Sequence, residues 1–210
     1  ADLNDHATLR EDAVLRLMAD ADTLASAPTL CRLENRADRR SMWRMAEILV
    51  DTFIASHKTP PQELVLDFDA TDDPIHGNQE GRFFHGYYRN YCYLPLYCFC
   101  GDIPLCAELR TSDRDGSQGT LEALRRIIPA IRKRLGNEVK IIIRGDSGFC
   151  RDELMTWLEE QAGVHYVFGL ARNERLVGVI AGELALAEAE SLTQGGPARR
   201  FANFAWCTLD

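Results

Sequence analysis

Two acidic clusters lie far apart in the chain, and each follows an apolar run. Asp67-Phe68-Asp69-Ala70-Thr71-Asp72-Asp73 closes the run Leu64-Val65-Leu66, and Asp146 follows Ile141-Ile142-Ile143-Arg144-Gly145. A buried, unpaired carboxylate is costly, so acids at the ends of apolar strands call for an explanation. Strand ends are where mixed sheets gather their ligand sites, and carboxylates converging there suit Mg²⁺, a hard ion that takes oxygen ligands. Period-two alternation puts Asp67 and Asp69 on one strand face, which makes Asp67 a substitute candidate for Asp69. A plainer reading competes: Asp72 and Asp73 form a turn, and Asp146 caps the helix after it.

The elements that must position these acids follow from periodicity. Residues 1 to about 57 read as helices, most clearly from Met42 to Ile54, and Lys58-Thr59-Pro60-Pro61-Gln62 ends them. The strand Leu64–Asp69 comes next. Two runs, Tyr91–Phe99 and Ile103–Leu109, are split by the hairpin signal Gly101-Asp102. Thr120–Leu135 is helical, with Leu121, Leu124, Ile127, Ile128, Ile131 and Leu135 on one stripe. Pro129 is expected to kink that helix or to end its first half. A strand over Val139–Ile143, a helix over Arg151–Gln161 and a strand over His165–Ala171 follow. The Ala/Glu-rich stretch Glu183–Glu190 is helical, and Gly195-Gly196-Pro197 leads to a strand starting at Phe201. The order implies a mixed α/β core behind a helical N-terminal segment. The divisions are a segment over 1–62, a core over 63–173 and a further region over 174–210.

Composition narrows the classes. The 210 residues are 46% apolar and 27% charged with only 8 Pro, which fits a globular chain and excludes collagenous or disordered ones. No apolar run reaches the roughly 20 residues needed to span a bilayer, so a membrane protein is not expected. The start, Ala1-Asp2-Leu3-Asn4-Asp5, is acidic and polar, unlike a signal peptide. Without an initiator Met, and ending at Trp206-Cys207-Thr208-Leu209-Asp210, the chain reads as a piece of a longer protein. The 24 basic and 32 acidic residues give a net charge of −8. Contact with a phosphate backbone must then come from local patches, from metal ions or from other parts of the protein. The basic candidates are Arg125, Arg126, Arg132, Lys133 and Arg134 on the Thr120–Leu135 helix, against the alternative of a solvated face. The 7 cysteines read as reduced thiols of a cytoplasmic protein rather than a disulfide framework. Cys98 and Cys100 share a strand face, but no second pair or nearby His completes a metal set. The Tyr87-Tyr88-Arg89-Asn90-Tyr91 cluster mixes rings with a cation, as strand-binding surfaces and ordinary sheets both do.

Asp67-x-Asp69-x-Thr71 after an apolar strand is similar to the opening motif of haloacid-dehalogenase-like phosphatases. There the first Asp would accept a phosphoryl group and the second would act as general acid. The acid that family places after Gly145-Asp146 is missing, since Phe149 and Cys150 stand there, and its parallel sheet does not predict hairpins over Phe83–Leu109.

A second resemblance covers residues 2 to 209. Asp2-Leu3-Asn4-Asp5-His6 with Leu9-Arg10, Leu66-Asp67-Phe68-Asp69-Ala70-Thr71 with His76-Gly77-x-Gln79-x-Gly81, and Phe84-His85-Gly86-Tyr87-Tyr88 leading to Leu94-Pro95-Leu96 and Leu109-Arg110 form its first part. Arg144-Gly145-Asp146-Ser147-Gly148-Phe149 with Phe168-Gly169-Leu170-Ala171-Arg172-Asn173 completes it. In this order they resemble bacterial insertion-sequence transposases of the "group 1" DDE family. Thr111-Ser112-Asp113-Arg114-Asp115 departs from that pattern. The resemblance implies a ribonuclease H-like mixed sheet flanked by helices, with Asp69 and Asp146 as the first two catalytic, metal-holding carboxylates. It also implies two Mg²⁺ (or Mn²⁺) ions for hydrolysis and strand transfer at transposon ends, transposon-end and target DNA as partners, and a homodimer in the synaptic complex. His76 and Arg144 are secondary candidates, as basic neighbours of the acid pair or, for His76, of DNA phosphate. The family's third acid, a Glu beyond an inserted β-rich region, finds no match in Glu183, Glu188 or Glu190. The 210-residue piece alone is therefore expected to hold Mg²⁺ weakly and not to transpose. A non-catalytic DNA-binding or dimerisation module is the remaining alternative.

Overall fold

The computed structural model describes residues 5–207. The Asp2-Leu3-Asn4 part of the N-terminal stretch and the final Thr208-Leu209-Asp210 lie outside the described residues. The N-terminal segment forms α1 (His6–Leu9), α2 (Ala13–Met18), α3 (Ala27–Glu34) and α4 (Arg39–Ser56). The first three helices bury no residue. α4 differs because Val50, Phe53 and Ile54 recur at helical spacing and sink into the core. Asp38 caps it by accepting from the Ser41 amide at 2.7 Å.

β1 (Glu63–Ala70) opens the sheet region. A small sheet of order β2-β4-β3 follows, built from β2 (Asp73–Pro74), β3 (Phe83–His85) and β4 (Asn90–Tyr93). β5 (Leu96–Cys100) and β6 (Ile103–Glu108) make the hairpin around Gly101-Asp102. The run Tyr91–Phe99, expected as one strand, is thus two strands in different sheets. Pro95 separates them; it has no N–H to give to a ladder, so continuous pairing fails there. α5 (Thr120–Leu135) leads to β7 (Lys140–Gly145), a short 3₁₀ turn over Ser147–Phe149, α6 (Asp152–Glu159) and β8 (Val164–Phe168). α5 runs through Pro129 instead of stopping there. Burial of Leu124, Ile127, Ile128, Ile131 and Leu135 outweighs the roughly 3 kcal/mol that an interior proline costs.

The main sheet has the order β6-β5-β1-β7-β8. β6, β5 and β1 are antiparallel neighbours, while β1, β7 and β8 are parallel. This is the ribonuclease H-like mixed sheet, and it excludes the all-parallel sheet of the phosphatase reading. One face, with Leu64, Leu66, Phe68, Leu96, Ile141 and Ile143, packs with Phe53, Leu124, Ile127 and Leu158 in a single core. By alternation the opposite face carries the ion pairs Glu63–Lys140 and Asp67–Arg144.

α7 (Glu174–Val179) and α8 (Ala181–Gln194) close the described order and bury no residue. The strand expected at Phe201 does not form: residues 197–207 have no regular structure, and Phe201 stands 88% exposed with no neighbouring strand to pair with. No described helix is long and apolar enough to cross a membrane.

Candidate active site

Leu64, Leu66 and Phe68 are buried, and alternation therefore turns Asp67 and Asp69 to the other face of β1. β1 pairs in parallel with β7 in a register that sets Asp67 beside Arg144. Two residues further along each chain come Asp69 and Asp146. Neighbouring strands lie about 5 Å apart, so the two acids leave adjacent strands at the same end of the sheet. Both residues are exposed.

The turn that presents Asp146 is built on close approaches. The Gly148 amide donates to Asp146 Oδ1 at 2.7 Å, and a Cβ on Gly148 would lie 2.9 Å from that oxygen. A Cβ on Gly145 would meet the buried Phe149 ring at 2.9 Å. Beyond β8, a Cβ on Gly169 would come within 3.0 Å of the Ser147 nitrogen. The order Arg144-Gly145-Asp146-Ser147-Gly148-Phe149 is thus a packing solution in which the chain folds under the strand end and leaves the carboxylate outward. Asp146 does act as a cap, but of the 3₁₀ turn and through one oxygen only.

Asp67 is placed differently. Its two oxygens accept from Nε and Nη2 of Arg144, the latter at 2.7 Å. That bidentate pair occupies the acid one pleat inboard and raises the arginine's pKa through the hydrogen bond and the charge of Asp67. Arg144 therefore serves Asp67 rather than the outer pair, and Asp67 is not free as the phosphoryl acceptor of the phosphatase reading. His76 is exposed in the loop after β2 and makes no hydrogen bond or ion pair with either acid.

Sequence reasoning missed Tyr88. Its hydroxyl donates to the Ala70 carbonyl at 3.3 Å. Burial first, then the charges of Asp72 and Asp69, then Tyr87 and Asp146, push the phenol above its ordinary value. Tyr88 thus lies beside the end of β1, within the field of Asp69, Asp72 and Asp146. Asp72 is half-buried and accepts from Asn90 Nδ2 at 3.1 Å. The tyrosine pair was visible in the sequence, but no spacing rule links a hairpin tip to the end of β1.

The basic candidates on α5 have contacts of their own. Arg132 donates to the carbonyls of Asn137, Val139 and Ala162, at 2.8 Å to the first and 2.9 Å to the last. Arg125 lies 6.0 Å from the Trp157 ring and Arg126 5.5 Å from the Trp43 ring, while Lys133 is exposed. Arg132 and Lys133 sit near the start of β7, roughly 20 Å along the strand from Asp146 at ~3.3 Å per residue. Cys98, Cys100 and Cys106 are free thiols, and burial raises the pKa of each.

Two exposed carboxylates at adjacent strand ends fit a hard divalent cation that keeps most of its waters. Among the described residues, no group of three or more His, Cys, Asp or Glu side chains could hold a metal ion.

The sheet order β6-β5-β1-β7-β8, antiparallel then parallel, is that of a ribonuclease H-like domain. The chain belongs to the transposase DDE domain family, group 1, which it matches over residues 1–208. Domains of this family depend on divalent metal. The chain is similar to the piggyBac transposase in a cryo-EM structure of its synaptic complex with hairpin DNA. That similarity has 18% identity over 73% of this chain and 32% of that one, with a TM-score of 0.39. It is also similar to a pre-cleavage Mos1 transpososome (12% identity, 96% and 66% of the two chains, TM-score 0.29). A Mos1 strand transfer complex gives 10% identity, 97% and 67%, and a TM-score of 0.30. The chain spans about a third of the length of that piggyBac transposase. The family match, not these likenesses, carries the assignment. No curated protein matches the sequence.

Proposed function

We propose that this chain contributes the catalytic core of a bacterial, cytoplasmic DNA transposase, with Asp69 and Asp146 as the first two metal-holding carboxylates. The observation that carries the reading is the β1–β7 register, which brings both acids to one strand end while Arg144 neutralises the acid behind them. Bound Mg²⁺ or Mn²⁺, two ions in the complete site, would supply Lewis-acid activation and charge neutralisation at a DNA phosphodiester. The protein's own part is positional. Gly148 holds one oxygen of Asp146 and leaves the other outward, and the buried strand core fixes the spacing of the pair. Transposon-end and target DNA are the substrates, and a homodimer is the working assembly. Reduced, buried thiols accord with a cytoplasmic setting.

Titration calorimetry with Mg²⁺ and Mn²⁺ on the 210-residue chain tests the site. Weak binding that disappears in Asp69→Asn and Asp146→Asn but persists in Asp67→Asn is expected. Unchanged transposition by a full-length protein carrying Asp146→Asn would leave the chain a non-catalytic DNA-binding or dimerisation module. Micromolar Mg²⁺ affinity, or specific nicking of end-containing duplex by this chain alone, would show that a third acid is already present.

A further inference from the structure

The hairpin between β3 and β4 turns through Gly86, Tyr87, Tyr88 and Arg89, closed by the Arg89 amide on the His85 carbonyl at 2.8 Å. Arg89 takes a left-handed conformation (φ 56°) that few bulky residues adopt. The turn splits its two tyrosines. Tyr88 points back to the end of β1, where it meets Ala70 and the charges of Asp69, Asp72 and Asp146. Tyr87 meets Tyr88 edge to face at 5.0 Å and stands 84% exposed. On the strands behind it, Phe84 and Tyr91 meet at 5.5 Å, are 57% and 49% exposed, and Arg82 lies 4.8 Å from the Tyr91 ring. The small sheet buries Cys92 but leaves these rings in solvent. Arg89 is exposed and forms no ion pair among the described residues.

We propose that this hairpin is a stacking platform for unpaired bases of the DNA strand whose phosphate lies at Asp69 and Asp146, with Tyr87 as the principal contact. The inference rests on the proposed function for the identity of the strand. Three features favour a nucleic acid over a protein partner. The most exposed ring is one contact away from Tyr88, whose hydroxyl donates to the carbonyl of Ala70, the neighbour of Asp69, so a base on Tyr87 lies close to a phosphate at the acids. The surface couples rings with the exposed Arg89, the combination that follows a single strand, where ring faces take any base and a cation takes its phosphate, while Arg82 is held by Gly77 and Asn78. The rings stand on a short hairpin tip, too narrow for the area of about 800 Å² per partner that a stable protein interface needs.

Fluorescence anisotropy on the 210-residue chain at low salt tests this, with three probes of equal length: a single-stranded oligonucleotide, its duplex, and an abasic strand that keeps the phosphates. The single strand should bind about tenfold tighter than the abasic strand, and Tyr87→Ala should remove that preference while Tyr87→Phe keeps it. Tyr87 is exposed, so its truncation should leave the melting temperature unchanged. The measurement is made in metal-free buffer, where no ion bridges the acids to a phosphate. A Tyr87 effect therefore stands or falls separately from the catalytic role of the acids. Equal affinity for abasic and base-carrying strands would overturn the platform. So would a Tyr87→Ala chain that binds unchanged, or one whose only change is the loss of a dimer in sedimentation, which would give the hairpin to a second copy of the chain.

Discussion

The two ends of the five-stranded sheet use their charged groups in opposite ways. Where β7 begins, the charges are spent on the fold. Arg132 gathers three carbonyls from two loops, and Lys140 pairs with Glu63 at 2.9 Å. Where β7 ends, Asp69 and Asp146 are exposed at adjacent strand ends and form no ion pair among the described residues, and Arg144 is turned to Asp67 instead. The first arrangement lowers the energy of the folded chain. The second leaves two like charges at one strand end, which suits a bound cation. Arg132 and Lys140 thus serve the fold, while Asp69 and Asp146 form no ion pair among the described residues.

Substitutions at the two ends should therefore separate activity from stability. At the acid end, Asp69→Asn or Asp146→Asn in a transposition-competent protein should lower the cleavage rate by on the order of 10³ or more. The melting temperature should stay level or rise slightly, because one of two facing charges is gone. A variant that cleaves normally, or one that unfolds, would break the comparison. At the other end, Arg132→Ala should cost about 3 kcal/mol in urea unfolding, since three carbonyls lose a charged donor. Arg132→Lys should recover only part of this, because an ammonium on a flexible stem cannot copy the planar fork. If Arg132→Ala were stable but poor at binding DNA, the basic-face reading of α5 would displace the structural one.

Gly145→Ala tests the turn that joins the strand core to the acid. The added Cβ would collide with Phe149, which is 1% exposed and cannot swing away. Overpacking of this kind costs about 1–3 kcal/mol. It should also misplace Asp146, so metal binding should weaken in the same variant. A fully stable Gly145→Ala chain with unaltered Mg²⁺ binding would show that the close approach does not position the acid.

These particulars also show what a sequence can reveal. β1, α5 and β7 were readable because their apolar residues recur with the period of a strand or a helix, and Asp69 and Asp146 stood out because they interrupt that pattern at its ends. Pairing across strands was not readable: nothing local says that Arg144 faces Asp67 rather than Asp146. The same holds for Tyr88, whose partners come from the end of β1 and the turn after β7. The break at Pro95 carried a local signal, and the apolar run around it outweighed that signal in the reading of a single strand. Phe201 carried a strand-like pattern but lacks a neighbour to pair with, and a strand without a neighbour does not form.

Tyr88 supplies the finest measure of the acid end. Its ordinary pKa is 10.0, and burial together with Asp72, Asp69 and Asp146 raises it. The folded chain therefore holds the phenolic proton more tightly than the unfolded chain. That contribution to stability is fully present below the ordinary value and is lost as pH rises through the higher folded one. Removing a nearby charge should lower the folded value. The drop should be larger for Asp72→Asn than for Asp69→Asn, and smallest for Asp146→Asn. Mg²⁺ held by the pair should lower it too, because a cation offsets the same charges. Phenolate absorbance against pH, with Tyr88→Phe subtracted to remove the other tyrosines, reads each shift directly. If the Tyr88 titration did not move in any of the three variants, the acids would not converge on the hairpin tip, and the site would have to be drawn without it.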